Sequence, residues 1–259
     1  MPPVAHPASY PSLAGRRVFV TGGGSGIGEA IVEAFARQGA LVAFVDVADA
    51  ASAALAERLA GGGLPRPWWR RCDVRDVPAL QQCIAEAAEG LGGDFDVLVN
   101  NVASDDRHAP EAVTPDYWDE RMAVNARPAF FAIQAVLPGM QRRGGGAVVN
   151  LGSIGWQIKE GAYPCYAVAK SSVNGLTRGL ARPLGAHGIR INTVTPGWVM
   201  TERQRRLWWT PEGEAERRRS QCLVDELLPH DIAAMVLFLA SDDGRMCTAQ
   251  EFKVDAGWA

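Results

Sequence analysis

Tyr166 and Lys170 stand four positions apart in Tyr-Ala-Val-Ala-Lys, so on a helix they share one face and the ammonium comes close to the phenol. A phenol with a pKa of about 10 is a poor base at neutral pH, but a nearby positive charge lowers that value and lets it exchange a proton at working pH. Ser153 closes the fifth β-like run at Gly152-Ser153, where a hydroxyl can hold the oxygen of a reacting substrate. Asn125 falls inside a helical pattern, where its amide is a poor helix former and needs another task. A tyrosine and a lysine at this spacing also recur by chance on exposed helix faces. Their weight comes from coinciding with Ser153, Asn125 and a glycine loop.

That loop is Thr-Gly-Gly-Gly-Ser-Gly-Ile-Gly over residues 21–28, between a β-branched run and a helical pattern. Gly22, Ser25, Gly26, Ile27 and Gly28 then let backbone approach a pyrophosphate whose charge the helix N-terminus attracts. Asp46 ends the second strand, where a carboxylate accepts hydrogen bonds from both adenosine ribose hydroxyls and repels a 2′-phosphate. No Arg or Lys follows among residues 47–50, so the cofactor reading is NAD in preference to NADP. The plainer alternative for Asp46 is a turn or N-cap residue. Asp73 and Val74 fall beside the adenine, and Asn100, Asn101, Val102 and Ala103 follow the fourth strand.

The elements that must position these groups follow one rhythm. Strand-like runs alternate with helical patterns at 26–38, 48–60, 76–90 and 115–142, then at 163–186 and 231–240, and the last strand is Glu-Phe-Lys-Val-Asp. This predicts an α/β fold: one doubly wound, Rossmann-type domain over 1–259 with a seven-stranded parallel sheet flanked by helices. Residues 1–14 read as an extended N-terminal arm. The polar segment 202–228, after a strand's carboxyl end, reads as a substrate lid.

Composition narrows the function classes. With 259 residues, 47% hydrophobic and 21% charged, the chain is an ordinary globular protein and not a disordered or fibrous one. A formal charge of −3 gives no reason to expect a nucleic-acid partner. The five cysteines show no C-x-x-C or Cys/His ligand spacing, so no metal site is expected and reduced thiols in a cytoplasm are. The apolar stretch 124–140 is broken by Asn125, Arg127 and two prolines, which speaks against a membrane span, and the Pro-rich start does not read as a signal peptide.

Through residues 21–28, Asp46, Asp73-Val74, Asn100-Asn101, Asn125, Ser153, Tyr166, Lys170 and Pro196-Gly197, the chain resembles the short-chain dehydrogenase/reductase family over residues 15–259. The resemblance implies that Tyr166 is the acid/base, that Lys170 lowers its pKa and holds the nicotinamide ribose, that Ser153 positions the substrate hydroxyl and that Asn125 supports a water relay. It also places Pro196, Gly197, Val199 and Thr201 at the nicotinamide carboxamide and implies a homotetramer. One departure is Asn-Asn-Val-Ala at 100–103, where the family usually has Asn-Asn-Ala-Gly.

Further stretches, at 105–108, 117–121, 152–156 and 210–215, are similar to the bacterial aldopentose 1-dehydrogenase group, the D-xylose enzymes above all. That implies oxidation of the C1 hydroxyl of D-xylose or L-arabinose to a lactone. Asp105 and His108 are candidate sugar contacts, Trp156 a candidate wall for the ring, and Trp208-Trp209 a candidate cover. A loop ion-pair cluster and a subunit interface are the plainer alternatives for the first and last of these. Two other functions compete: an NADPH-dependent 3-oxoacyl or ketone reductase, and a catalytically silent dinucleotide sensor.

Overall fold

The computed structural model describes residues 8–259. Seven strands, β1 Arg17–Thr21, β2 Leu41–Asp46, β3 Trp68–Arg71, β4 Val97–Asn100, β5 Gly146–Leu151, β6 Ile189–Pro196 and β7 Glu251–Val254, form one parallel sheet in the order β3-β2-β1-β4-β5-β6-β7. The winding direction reverses between β1 and β4, which opens a crevice at the carboxyl edge of the sheet. Thr21 pairs with Asn100 and Asn100 with Asn150, so these strand ends lie level along that edge.

Helices cover both faces: α1 Gly26–Arg37, α2 Asp49–Gly61 and α9 Pro229–Ala240 on one side, and α3 Val77–Gly90, α5 Arg127–Arg143 and α6 Pro164–Gly185 on the other. Alternation within β1 explains the two layers. Val18 and Val20 pack with Ile31, Phe35 and Val236, whereas Phe19 packs with Leu80, Ile84 and Ile133 on the opposite face. Proline at the first helical position, where the missing N–H is no loss, starts α4 (Pro115–Asn125), α6, α8 (Pro211–Ser220) and α9.

Two expectations need correction here. The single helix predicted over 115–142 is two, α4 and α5, broken at Ala126 (φ −126°, ψ −54°). Pro128 lacks the donor that would continue the ladder, and its ring crowds the carbonyl four residues back. The arm predicted over 1–14 lies outside the described residues up to position 7. Beyond that, Pro11–Leu13 forms a 3₁₀ turn with Leu13 buried in the core, so this part is not extended.

The polar 202–228 stretch contains two helices, α7 Glu202–Trp208 and α8, capped by Thr201 and Thr210 side chains that accept from Gln204 N and Gly213 N. Its neck is closed where Met200 N donates to Leu227 O at 2.8 Å. Among the described residues, no helix is long and apolar enough to cross a membrane.

Candidate active site

The turn of the glycine loop requires glycine at specific positions. A Cβ on Gly28 would lie 1.7 Å from Gly22 O, Gly22 and Gly26 take φ of +71° and +57°, and Asn101 Nδ2 braces the turn by donating to Gly22 O at 2.8 Å and Thr21 O at 3.1 Å. The trench in front of it, about 1040 Å³, is lined by Gly22, Ser25, Gly26, Ile27, Gly28, Asp46, Asp73, Val74, Asn101, Ala103 and Thr201.

Asp46 holds the loop as well as facing the trench: its carboxylate accepts from Gly24 N at 2.8 Å and Ala48 N at 2.9 Å. The turn reading of this residue is met, and the side chain also lines the trench. Distant in sequence but beside it in the sheet, Arg71 pairs in register with Asp46 and reaches Val47 O at 3.4 Å. Reading residues 47–50 alone missed this cation. The Asp73 carboxyl is held below the usual range by its hydrogen bonds and ion pair with Arg75, at 2.6 Å.

Next to the trench, a cleft of about 470 Å³ brings together Ser153, Tyr166, Lys170, Pro196, Gly197, Val199 and Thr201. Ser153 lies two residues beyond the end of β5, as the N-cap of a 3₁₀ turn, and its Oγ accepts from Gly155 N at 3.1 Å. Tyr166 is half-buried where the cleft meets the trench. Burial pushes its phenol up to about 12, partly offset by a hydrogen bond with Ser153. Lys170 Nζ, 5.9 Å from the Tyr166 ring centre, donates to Leu151 O at 2.7 Å, and burial lowers its pKa to about 8. The tyrosine is thus raised and not lowered as expected: desolvation dominates both groups.

Asn125 ends α4 and is not inside a helix. Its Oδ1 accepts from Ser104 N at 2.7 Å and its Nδ2 donates to Ser104 O at 3.1 Å, so the amide binds the loop after β4. With Lys170 it lines a separate cavity of about 20 Å³, roughly the room one water needs.

The candidate sugar contacts divide. Asp105 lines both cleft and trench, with its carboxylate engaged by Arg203 and by Gln204 Nε2 at 2.8 Å. His108 is not in the cleft: Nδ1 meets Tyr117 Oη at 3.0 Å, and Nε2 accepts from Cys165 N at 3.2 Å, which ties the start of α6 to the loop. Trp156 faces a neighbouring open cleft beside Trp258 and not the one holding Tyr166. The aromatic walls are instead Tyr163, Trp198, Trp208 and Trp258. Trp209 packs against Trp198 at a tilt of 43°, 5.8 Å between ring centres. The Tyr163 edge meets the Tyr166 ring at 5.1 Å. Trp198 Nε1 donates to Gln204 Oε1 at 3.0 Å, which fixes that wall to α7. The only sequence signal for Trp198 and Trp258 is that each is a large apolar residue just past a strand end.

A family model described as Enoyl-(Acyl carrier protein) reductase matches residues 22–259. The chain is 51% identical over 251 residues to D-xylose 1-dehydrogenase of Caulobacter vibrioides, covering 97% of this chain and 98% of that one. It is 49% identical to a probable galactose dehydrogenase of Rhizobium meliloti, with 96% and 97% covered. Among solved structures it is similar to a Brucella melitensis 3-oxoacyl-[acyl-carrier protein] reductase with bound NAD (TM-score 0.86, 32% identity, 96% and 92% covered). A metagenomic blue fluorescent protein in complex with NADPH is similarly close (TM-score 0.86, 36% identity, 96% and 99% covered). With the sheet order, the glycine cradle and these matches together, the chain is an NAD(P)-binding oxidoreductase of the short-chain dehydrogenase/reductase family.

Proposed function

We propose that the protein oxidises the anomeric C1 hydroxyl of an aldopentose, D-xylose or L-arabinose, to the aldonolactone with NAD. The observation that carries this is the junction of the two cavities. Ser153 and Tyr166 stand in a cleft walled by tryptophans and edged by Arg107 and Gln204, and Tyr166 and Gln204 also line the dinucleotide trench. Aromatic walls with a few polar groups suit a polyhydroxylated ring. The likeness to the D-xylose enzyme supports the sugar.

NAD, when bound, takes up the hydride that leaves C1. Ser153 holds the C1 oxygen, and Tyr166 as phenolate accepts the hydroxyl proton. Lys170 holds the nicotinamide ribose and favours the phenolate. Asn125 and the small cavity beside Lys170 hold the water through which the proton leaves. Because only the ionised phenol is a base, and burial raises its pKa, kcat should rise with pH from neutral into the alkaline range.

The test is NADH formation with a panel of aldoses, D-galactose included. Turnover of D-xylose or L-arabinose is expected, with aldohexoses slower because their extra hydroxymethyl group must fit beneath α7. No NADH from either pentose, together with NADPH-driven reduction of a 3-oxoacyl thioester, replaces the sugar reading with the reductase one. The intact set Ser153, Tyr166 and Lys170 speaks against a silent sensor.

NAD should be preferred over NADP, since the Asp46 carboxylate would face a 2′-phosphate and Arg71 is turned to Val47 O and Asp49. Replacing Asp46 with Ser and Val47 with Arg should reverse the ratio of kcat/KM for the two cofactors. Better efficiency with NADP in the parent would overturn the assignment. A cytoplasmic homotetramer belongs to the same reading: Trp118, Phe130 and Val168 leave an apolar face exposed on α4, α5 and α6.

A further inference from the structure

The loop after β4 and the helix α7 are joined by four contacts. Arg203 Nη1 pairs with Asp105 Oδ1, Gln204 Nε2 donates to Asp105 Oδ2 at 2.8 Å, Arg203 Nη2 meets Asp106 Oδ1 at 3.3 Å, and the Arg107 guanidinium lies 4.0 Å over the Trp208 ring. Asp105 receives two of these, and its side chain is 22% exposed. Asp106 is braced in turn by Arg121 at 2.6 Å. Apart from these, α7 is held by the Trp198 Nε1 bond to Gln204 and the ion pair of Arg205 with Glu226; it is seven residues long, contains no buried residue, and carries exposed Arg205 and Arg206. Such a segment opens locally at low cost.

We propose that Asp105 is a positioning residue and not a sugar contact: it latches α7 across the mouth of the cleft through Arg203 and Gln204, and with Arg203 it forms a charge pair facing Tyr166. The second half rests on Tyr166 being the base. The groups around its phenol are Lys170 from α6, Tyr163 just before α6, Ser153 from the loop after β5, Asp105 from the loop after β4, and Arg203 from α7, the last two lining the trench together with Tyr166. Glu160 and Arg107 act on Tyr163 behind it. Asp105 raises the proton affinity of Tyr166 and Arg203 lowers it. Paired, the two charges largely cancel at the phenol; either alone does not.

Two measurements test this on the full-length enzyme. In the first, without substrate, tryptic cleavage at Arg205 and Arg206 should run about three to ten times faster in Asp105→Asn and in Arg203→Gln than in the parent. Equal rates overturn the latch. In the second, the pH profile of kcat for aldose oxidation should move to lower pH in Asp105→Asn and to higher pH in Arg203→Gln, and return to the parental position in the double variant. A purely structural role scales kcat alike at every pH. Shifts of the same sign, or a double variant that does not return, overturn the charge pair. If Tyr166 is not the base, Tyr166→Phe stays active while the cleavage result stands, so the two failures are distinguishable.

Discussion

Tyr166→Phe is expected to lower kcat by about 10²- to 10⁴-fold while leaving NADH affinity unchanged. The substitution keeps the ring, its edge contact with Tyr163 and its burial, and removes only the oxygen that exchanges a proton and meets Ser153. Fluorescence titration with NADH and initial rates with D-xylose measure the two effects separately. Residual activity within about tenfold of the parent would remove Tyr166 as the acid/base. Lys170→Met offers the matching contrast. It deletes the donor to Leu151 O and the only ammonium beside the phenol among the described residues, so it should weaken both turnover and NADH binding and push the alkaline rise further up in pH. Because the lysine titrates near 8, its help fades as the medium becomes more alkaline.

Gly28→Ala should be as damaging for a different reason. The added methyl would meet Gly22 O at 1.7 Å and Asn101 Nδ2 at 2.7 Å, a backbone atom and the amide that braces it, so neither neighbour can swing aside. Opening the turn should cost about 1–3 kcal/mol of stability, a fall of several degrees in Tm, and remove most NADH binding. Gly61→Ala serves as the control, because a methyl there meets nothing within 4 Å and the φ is ordinary, so Tm should hold or rise slightly. Parental Tm and NADH affinity in Gly28→Ala would show that the cradle tolerates a side chain.

The chemistry was legible wherever it depended on local spacing. A loop of glycines between a strand and a helix, a carboxylate at a strand end and a four-residue interval on a helix are short-range patterns, and their residues do meet at the carboxyl edge of the sheet. What depended on partners far along the chain was not legible. Arg71 reaches the end of β2 from the neighbouring strand. His108 has a ligand-like composition around it, yet its ring is spent on Tyr117 and Cys165. Trp156 and Trp198 carry the same side chain just past strand ends, and only the path of the following loop decides which one faces the cleft. Arg217 makes the point inside the lid: of three consecutive arginines it alone is buried, held by Glu214, Gln221 and two carbonyls, and nothing in the run marks it out.

The closed neck between Met200 and Leu227 has a consequence for how such a protein diversifies. The chain leaves the sheet after β6 and comes back to a fixed point before α9, so everything between is an excursion whose length and composition cost the rest of the molecule little. The glycine loop, Asp46, Ser153, Tyr166 and Lys170 lie outside it, while Thr201, Glu202, Arg203, Gln204 and Arg206 reach the trench from within it. The excursion supplies Gln204, Leu207, Trp208, Thr210, Gly213 and Glu216 to the lining of the cleft. Exchanging residues 201–226 for the corresponding stretch of another dehydrogenase should therefore change which alcohol is admitted, and a graft that lacks a cation at position 203 to meet Asp105 should move the pH profile as well.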